Sequence, residues 1–231
     1  MAKLPNGILG GFTGTIGPVV GTQWKGKQVI RSRPPGKRHK SSEDQLKQQA
    51  KVRLLTTFIS SLTHFLNSTY QCVTVQTSCF NKAMSYNLRN AVSGEFPAFR
   101  INFALVTLGV GDLLNVEKPL LSSESAGRLT FSWKNNSNEG SARASDQFFA
   151  ALYCEGLRKW ETRQNGSQRN AGSYTLDVPA FSGKAVHTYI GFLSADAKFV
   201  TTSLYAGSIN ISGKITGQDS KRQARPMDRN S

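Results

Sequence analysis

Carboxylates are scarce in this chain. Twenty-nine Lys and Arg stand against 14 Asp and Glu, a net charge of +15 over 231 residues. The imbalance is local. Residues 1–53 carry eleven cations and two carboxylates, residues 54–213 thirteen and ten, and residues 214–231 five and two. A basic arm on a nearly balanced body points to a polyanionic partner: nucleic acid, an anionic surface or an acidic protein patch. The plainer alternative is a solvated basic loop that keeps the chain soluble.

Cysteine is also rare. Cys72, Cys79 and Cys154 are too few, and odd in number, for a disulfide-built secreted domain. The spacing of seven between Cys72 and Cys79 is not a zinc spacing, and no His/Cys pair completes a four-ligand set. All three are expected as small buried hydrophobes or free thiols. The three histidines, His39, His64 and His187, stand apart from any carboxylate or nucleophile that would suggest a triad. The carboxylates Asp112, Glu117, Glu124, Asp146, Glu155, Glu161, Asp177 and Asp196 are dispersed, with Asp146 and Asp196 read as turn residues. Neither G-x-x-x-x-G-K-[ST] nor a G-x-G-x-x-G opening a helix occurs. The expectation is a protein that is not an enzyme, with no catalytic residue, no metal and no cofactor.

No long apolar run is present either. The segment Leu4–Trp24 is uncharged, but Pro5, Gly10, Gly11, Gly17 and Pro18 break it, and it has no compact leucine-rich stretch or A-x-A site. It fits neither a signal peptide nor a transmembrane helix. The expected location is the cytoplasm or a phage-like particle, with membrane not expected as a partner.

What the chain does have begins in that same segment. Six glycines fall between Leu4 and Trp24, and Gly11, Gly14 and Gly17 recur every three residues. Glycine permits backbone conformations and close approaches closed to other residues. Val19–Val20 and Val29–Ile30 flank a turn near Gly26, which predicts a glycine-rich β-hairpin arm with Trp24 as its one large anchor. The candidate assembly residues are Gly11, Gly14, Gly17, Val19, Val20 and Trp24. The candidate polyanion-binding residues are Lys25, Lys27, Arg31, Arg33, Lys37, Arg38 and Lys40. Strand alternation puts Arg31 and Arg33 on one face, which suits phosphates, or equally the carboxylates of a neighbouring subunit. Trp24 suits either base stacking or packing within the arm.

Pro34-Pro35-Gly36 ends the arm. Ser42 and Gln45 are spaced as a capping box, and a helix follows over about Glu43–Leu66. Its apolar face is Leu46, Ala50, Leu54, Phe58, Leu62 and Phe65. Tyr70–Val75 reads as a short strand or extended crossing. A second helix over Ser78–Val92 carries Phe80, Met84, Leu88 and Ala91 on one face, and Gly94 and Pro97 stop it. From Ala98 the period becomes two. Strands are predicted near Arg100–Thr107, Arg128–Trp133, Gln147–Cys154, Ser173–Val178, Val186–Leu193 and Phe199–Ile211, with a weaker one near Arg158–Arg163. Six or seven short strands with polar connectors predict a sandwich of about 110 residues. With Trp133 and Tyr189 as buried aromatics, it resembles a fibronectin-III core. The fold class is therefore α+β: a glycine-rich N-terminal β-hairpin arm and two helices, then an antiparallel, immunoglobulin/fibronectin-III-like β-sandwich. The corresponding segments are arm 1–40, two-helix connector 41–97, sandwich 98–212 and basic tail 213–231. The tail is read as lacking a fold of its own.

Specific words run through nearly the whole chain: NGILGGFTGTIGPVVG, WKG followed by VIRSRP, QLKQQAKVR, FNKAMSYNLRNAV, INFALVTLGVGDL and TYIGFLSADAKFVTTSLYAGSI. On these the chain resembles an uncharacterised family of Bacteroidota, a domain of unknown function that brings no activity with it. The N-terminal G-K-x-V-x-R-S pattern is similar to segments of small phage and prophage structural proteins, which implies assembly or packaging.

Three functions are compatible with these readings. One is a non-enzymatic assembly protein, a homo-oligomer docking through its arm. Another is a nucleic-acid-binding accessory protein. The third is a surface- or carbohydrate-binding sandwich using exposed Tyr153, Trp160 and Phe181 as stacking platforms.

Overall fold

The computed structural model describes residues 3, 10–24, 26–34, 40–71 and 78–213. The expected extended crossing beyond Gln71, the residues Cys72 and His39, and the basic tail from Lys214 lie outside the described residues. The chain divides into two compact units, Met1–Glu43 and Asp44–Ser231.

The first unit is a three-stranded antiparallel meander: β1 (Gly14–Ile16), β2 (Val19–Trp24) and β3 (Lys27–Ser32), in that order across the sheet. The predicted hairpin is β2–β3, and β1 adds a strand to it. Gly17 and Gly26 take φ of 55° and 78° in the two connections, a region that L side chains rarely enter.

The second unit opens with α1 (Glu43–Ile59), a 3₁₀ turn (Ser60–Leu62) and α2 (Thr63–Thr69). The single expected helix is thus interrupted. Its buried stripe starts only at Leu55 and runs through Phe58, Ile59, Leu62, Phe65 and Leu66. Leu46, expected on that stripe, is 43% exposed. Helix α3 (Cys79–Asn90) follows, capped by Ser78, whose hydroxyl accepts from Asn81 N. Cys79 is disulfide-bonded, which corrects the expectation of a free thiol there, while Cys154 is free and buried, as expected.

The predicted strand Arg100–Thr107 does not form. A two-residue pair, β4 (Val92–Ser93) with β5 (Arg100–Ile101), gives way to a 3₁₀ turn at Phe103–Leu105. The Asn102 side chain accepts from Ala104 N and turns the backbone out of the extended state. Strands β6 (Glu117–Ser122), β7 (Arg128–Lys134), β8 (Gln147–Cys154), β9 (Lys159–Arg163), β10 (Ser173–Asp177), β11 (Ala185–Leu193) and β12 (Leu204–Asn210) then form two sheets. Their orders are β10-β7-β6 and β12-β11-β8-β9, antiparallel throughout. β6 was not foreseen. It contains Pro119 and a register shift between Glu117 and Leu120, and although its exposure alternates, the polarity of its residues Glu-Lys-Pro-Leu-Leu-Ser does not. The final strand is shorter than the predicted Phe199–Ile211. Val200 and Thr201 make only isolated bridges, to Leu193 and to Asp112 and Leu113, and the Thr201 hydroxyl accepts from Phe192 N.

Two clusters share the four-stranded sheet. Between the sheets lie Leu129, Phe131 and Trp133 of β7, Phe148, Ala150 and Leu152 of β8, and Val186, Ile190 and Phe192 of β11. On the other side of β8 and β11, Phe149, Ala151, Tyr153, Tyr189 and Leu193 pack with the buried stripe of α1 and α2. The two helices expected as a connector are therefore the cover of the sandwich. β8 accordingly reads as an unbroken apolar run, while β7, covered on one side, alternates Leu129-Thr130-Phe131-Ser132. Asn87, fully buried, fastens α3 to the chain beyond β5: it donates to Thr107 O and accepts from Thr107 N, each at 2.8 Å.

His187 on β11 is half-buried. Its ring stacks on Phe103 at 4.0 Å and its Nδ1 lies 2.9 Å from the Tyr205 hydroxyl. Burial pushes its pKa down, partly opposed by Glu155. The folded state therefore resists protonation. Its contribution to stability is complete above the ordinary histidine value of about 6.5 and is lost as pH falls through and below it. Denaturation midpoints should drop between neutral and mildly acidic pH, and His187→Gln should remove that part of the drop.

Candidate interaction surface on the N-terminal arm

The register of the meander assigns every arm residue to a face. Val19 pairs with Ser32, Gly21 with Ile30 and Gln23 with Gln28, while Val20 pairs with Arg31, Thr22 with Val29 and Trp24 with Lys27. Gly14, Thr15 and Ile16 of β1 sit opposite Gly21, Val20 and Val19. Side chains opposite one another share a face, and the period is two. One face therefore carries Gly14, Ile16, Val19, Gly21, Ile30 and the two glutamines. The other carries Thr15, Val20, Thr22, Trp24, Lys27, Val29 and Arg31. Arg33 continues that parity, its N–H still bonded to Pro18 O at 2.6 Å.

The glycines explain how the first face is built. A Cβ on Gly21 would run into the backbone and ring of Phe12, and one on Gly11 into the side chain of Gln28. The segment Gly10–Thr13 therefore lies across this face at Gly21, held also by paired backbone bonds between Lys3 and Thr13. Ile16 and Ile30, on the same face, remain 49% and 66% exposed. Only Gly21 of the described arm residues is buried.

The opposite face is cationic. The first 42 residues contain eight Lys and Arg and no Asp or Glu. Among the described residues no ion pair engages Lys27, Arg31 or Arg33, and all three are exposed. Trp24 stands directly opposite Lys27 and is 60% exposed. The structure thus divides the sequence-predicted residues: Val19 and Gly14 fall on the apolar face, Val20, Trp24, Lys27, Arg31 and Arg33 on the basic one, and Gly17 at a turn. Lys40 is exposed before α1; Lys25, Lys37 and Arg38 lie outside the described residues.

Elsewhere the polar side chains are used in holding the fold. Tyr153 and Phe181, expected as exposed platforms, are buried. Trp160 donates its indole N–H to Phe58 O at 2.7 Å and packs among Phe58, Tyr153 and Tyr189. Tyr153 and Trp160 serve the helix–sheet contact and Phe181 the core between the sheets, which removes the basis for a stacking platform. Asp177 pairs with Arg128 and Glu117 with Lys134 on the surface. Asp146 is buried against Arg169, a pairing that sequence spacing gave no sign of. Among the described residues no group of three or more His, Cys, Asp or Glu is placed to hold a metal ion. No described helix is long and apolar enough to cross a membrane.

Seven antiparallel strands in a three-on-four arrangement, with an aromatic core between the sheets, define a fibronectin-III-like sandwich, here preceded by helices and a small sheet. The chain belongs to a family of unknown function, DUF6266, whose pattern matches residues 11–207. That span takes in both the arm and the sandwich. No curated protein matches the chain. Among solved structures it is similar to the fn3 domain of human collagen alpha-1(XX) chain, with 13% identity, 46% of this chain and 90% of that one covered, and a TM-score of 0.34. The fn3 domain of human contactin 1 gives 8% identity, coverage of 55% and 97%, and a TM-score of 0.34. The FN5 domain of Drosophila Lar gives 8%, 45% and 99%, and 0.32. The class rests on the strand order itself rather than on these scores.

Proposed function

We propose that this protein is a non-enzymatic assembly module, and that the apolar face and open β3 edge of its arm dock on a second copy of the chain. The observation that carries this is an arm without a core. A three-stranded sheet whose only buried described residue is a glycine buries too little surface to offset its own ordering. Two exposed isoleucines on one face, beside a strand with all six residues exposed and one edge that pairs with no strand among the described residues, are what strand addition to a neighbour uses. With that face seated, the cations would be presented outward, as suits a particle that surrounds a polyanion.

The test uses the full chain. Light scattering and electron microscopy should show a defined oligomer or particle, and Ile16→Asp with Ile30→Asp should yield monomers whose sandwich unfolds at the unchanged midpoint. A wild-type chain that stays monomeric at the highest attainable concentration would sink the reading.

A further inference from the structure

We infer that the basic face of the arm is a binding surface for single-stranded nucleic acid, with Trp24 as the base platform and Lys27, Arg31 and Arg33 as the phosphate contacts. This rests on the two-faced arm proposed above but not on its oligomeric state.

Four observations converge on that ligand. The cations fall at alternate positions of one strand and its continuation, so Arg31 and Arg33 stand about 6.7 Å apart along the strand, close to the separation of successive phosphates in an extended single strand. Lys27 lies two such steps before Arg31 on the same face, with Val29 between them. Trp24 sits across from Lys27, exposed on the same face, so a base stacked on the indole would bring its own phosphate to the Lys27 ammonium. Thr15 and Thr22, also on this face, offer hydroxyl donors to sugar or phosphate oxygens.

The fourth observation is charge. With no carboxylate before Glu43, these cations have no counter-charge within their own sequence segment. A solvated surface commonly interleaves both signs; this one does not. A duplex hides its base faces and would leave Trp24 idle, whereas an unstacked strand uses platform and cations together.

The experiment is a fluorescence-anisotropy titration of the full-length protein with a labelled oligothymidylate at two salt concentrations. Three phosphate contacts to a single strand give a slope of log K against log salt of about −2, hence roughly a 20-fold loss between about 50 and 200 mM salt. Lys27→Gln, Arg31→Gln and Arg33→Gln together should bring the slope toward zero. Trp24→Ala should lower affinity about 10-fold or more without changing the slope, and Trp24→Phe should restore most of it. Ile16→Asp with Ile30→Asp should abolish oligomers yet leave the slope intact, which separates failure of this inference from failure of the assembly reading. Equal affinity for a duplex of the same length would overturn the proposal. So would equal binding to vesicles of anionic lipid, or wild-type affinity in either the triple or the Trp24→Ala variant.

Discussion

Arg169→Ala is expected to destabilise the sandwich unit by about 3–5 kcal/mol, read as a lowered urea midpoint at unchanged slope and a fall in Tm of about 10 °C or more. The Arg169 side chain is entirely buried and that of Asp146 nearly so. Nε donates to Asp146 Oδ2 at 3.0 Å, Nη1 to Asn136 Oδ1 at 2.8 Å and Nη2 to Leu114 O at 2.8 Å. The guanidinium lies 4.0 Å from the centre of the Phe192 ring, and the Arg169 carbonyl accepts the Trp133 indole N–H. One side chain thus ties the approach to β6, the β7–β8 loop and the β9–β10 loop to the aromatic core. Burial pulls the Arg169 pKa down and Asp146 opposes that shift.

The loss on breaking the pair exceeds what forming it contributes. Desolvating two ions offsets most of their attraction, but removing one leaves the other buried without a counter-charge. Asp146→Ala should therefore cost about as much as Arg169→Ala. The double variant should cost clearly less than the sum of the two, a coupling that denaturant titration of all three measures directly. Asp146 Oδ1 has no partner among the described residues, so Asp146→Asn, with its amide oxygen in the Oδ2 position to accept from Arg169 and its NH2 in the place of Oδ1, should fall between wild type and Ala.

The periodic parts of the structure were readable from sequence because one face of each is solvated. β7 and β10 alternate, α3 has its cap and stripe, and the β2–β3 hairpin has its glycine turn. β8 was also placed within its observed bounds, Gln147–Cys154. What went unread there is that it is apolar on both faces, the sign that a second layer covers it. The layer is the α1–α2 stripe, whose register could not be placed because Leu46, Ala50 and Leu54 continue the same spacing into solvent. The Asp146–Arg169 pair joins residues 23 apart through loop geometry alone, for which no local pattern exists. The arm residues were found as a set. Their division into two faces needed the strand pairing, since β1 and the crossing segment at Phe12 decide which face is covered.

Phe58→Ala is expected to cost about 3–5 kcal/mol as well, and its effect decides whether the helices are a layer of the sandwich or an appendage. The Phe58 ring meets Tyr153 at 4.8 Å and Trp160 at 4.9 Å, both edge-on, with Phe103 at 5.9 Å. Its carbonyl accepts the Trp160 indole N–H. Truncation leaves a cavity between α1 and the β8–β9 edge that these large rings cannot collapse to fill, and each lost edge-to-face pair adds to the transfer cost. If helices and sandwich share one core, the variant unfolds in a single transition at a lower midpoint, with coincident loss of helical ellipticity and of tryptophan fluorescence from Trp133 inside the sandwich. If the helices are an appendage, ellipticity is lost first and the Trp133 signal keeps its wild-type midpoint. The continuity of Leu55, Phe58, Ile59 and Leu62 with Phe149, Ala151, Tyr153 and Tyr189 in one cluster predicts the single transition. No described arm residue belongs to that cluster, so substitutions at Ile16, Ile30 or Lys27 are expected to leave the midpoint unmoved.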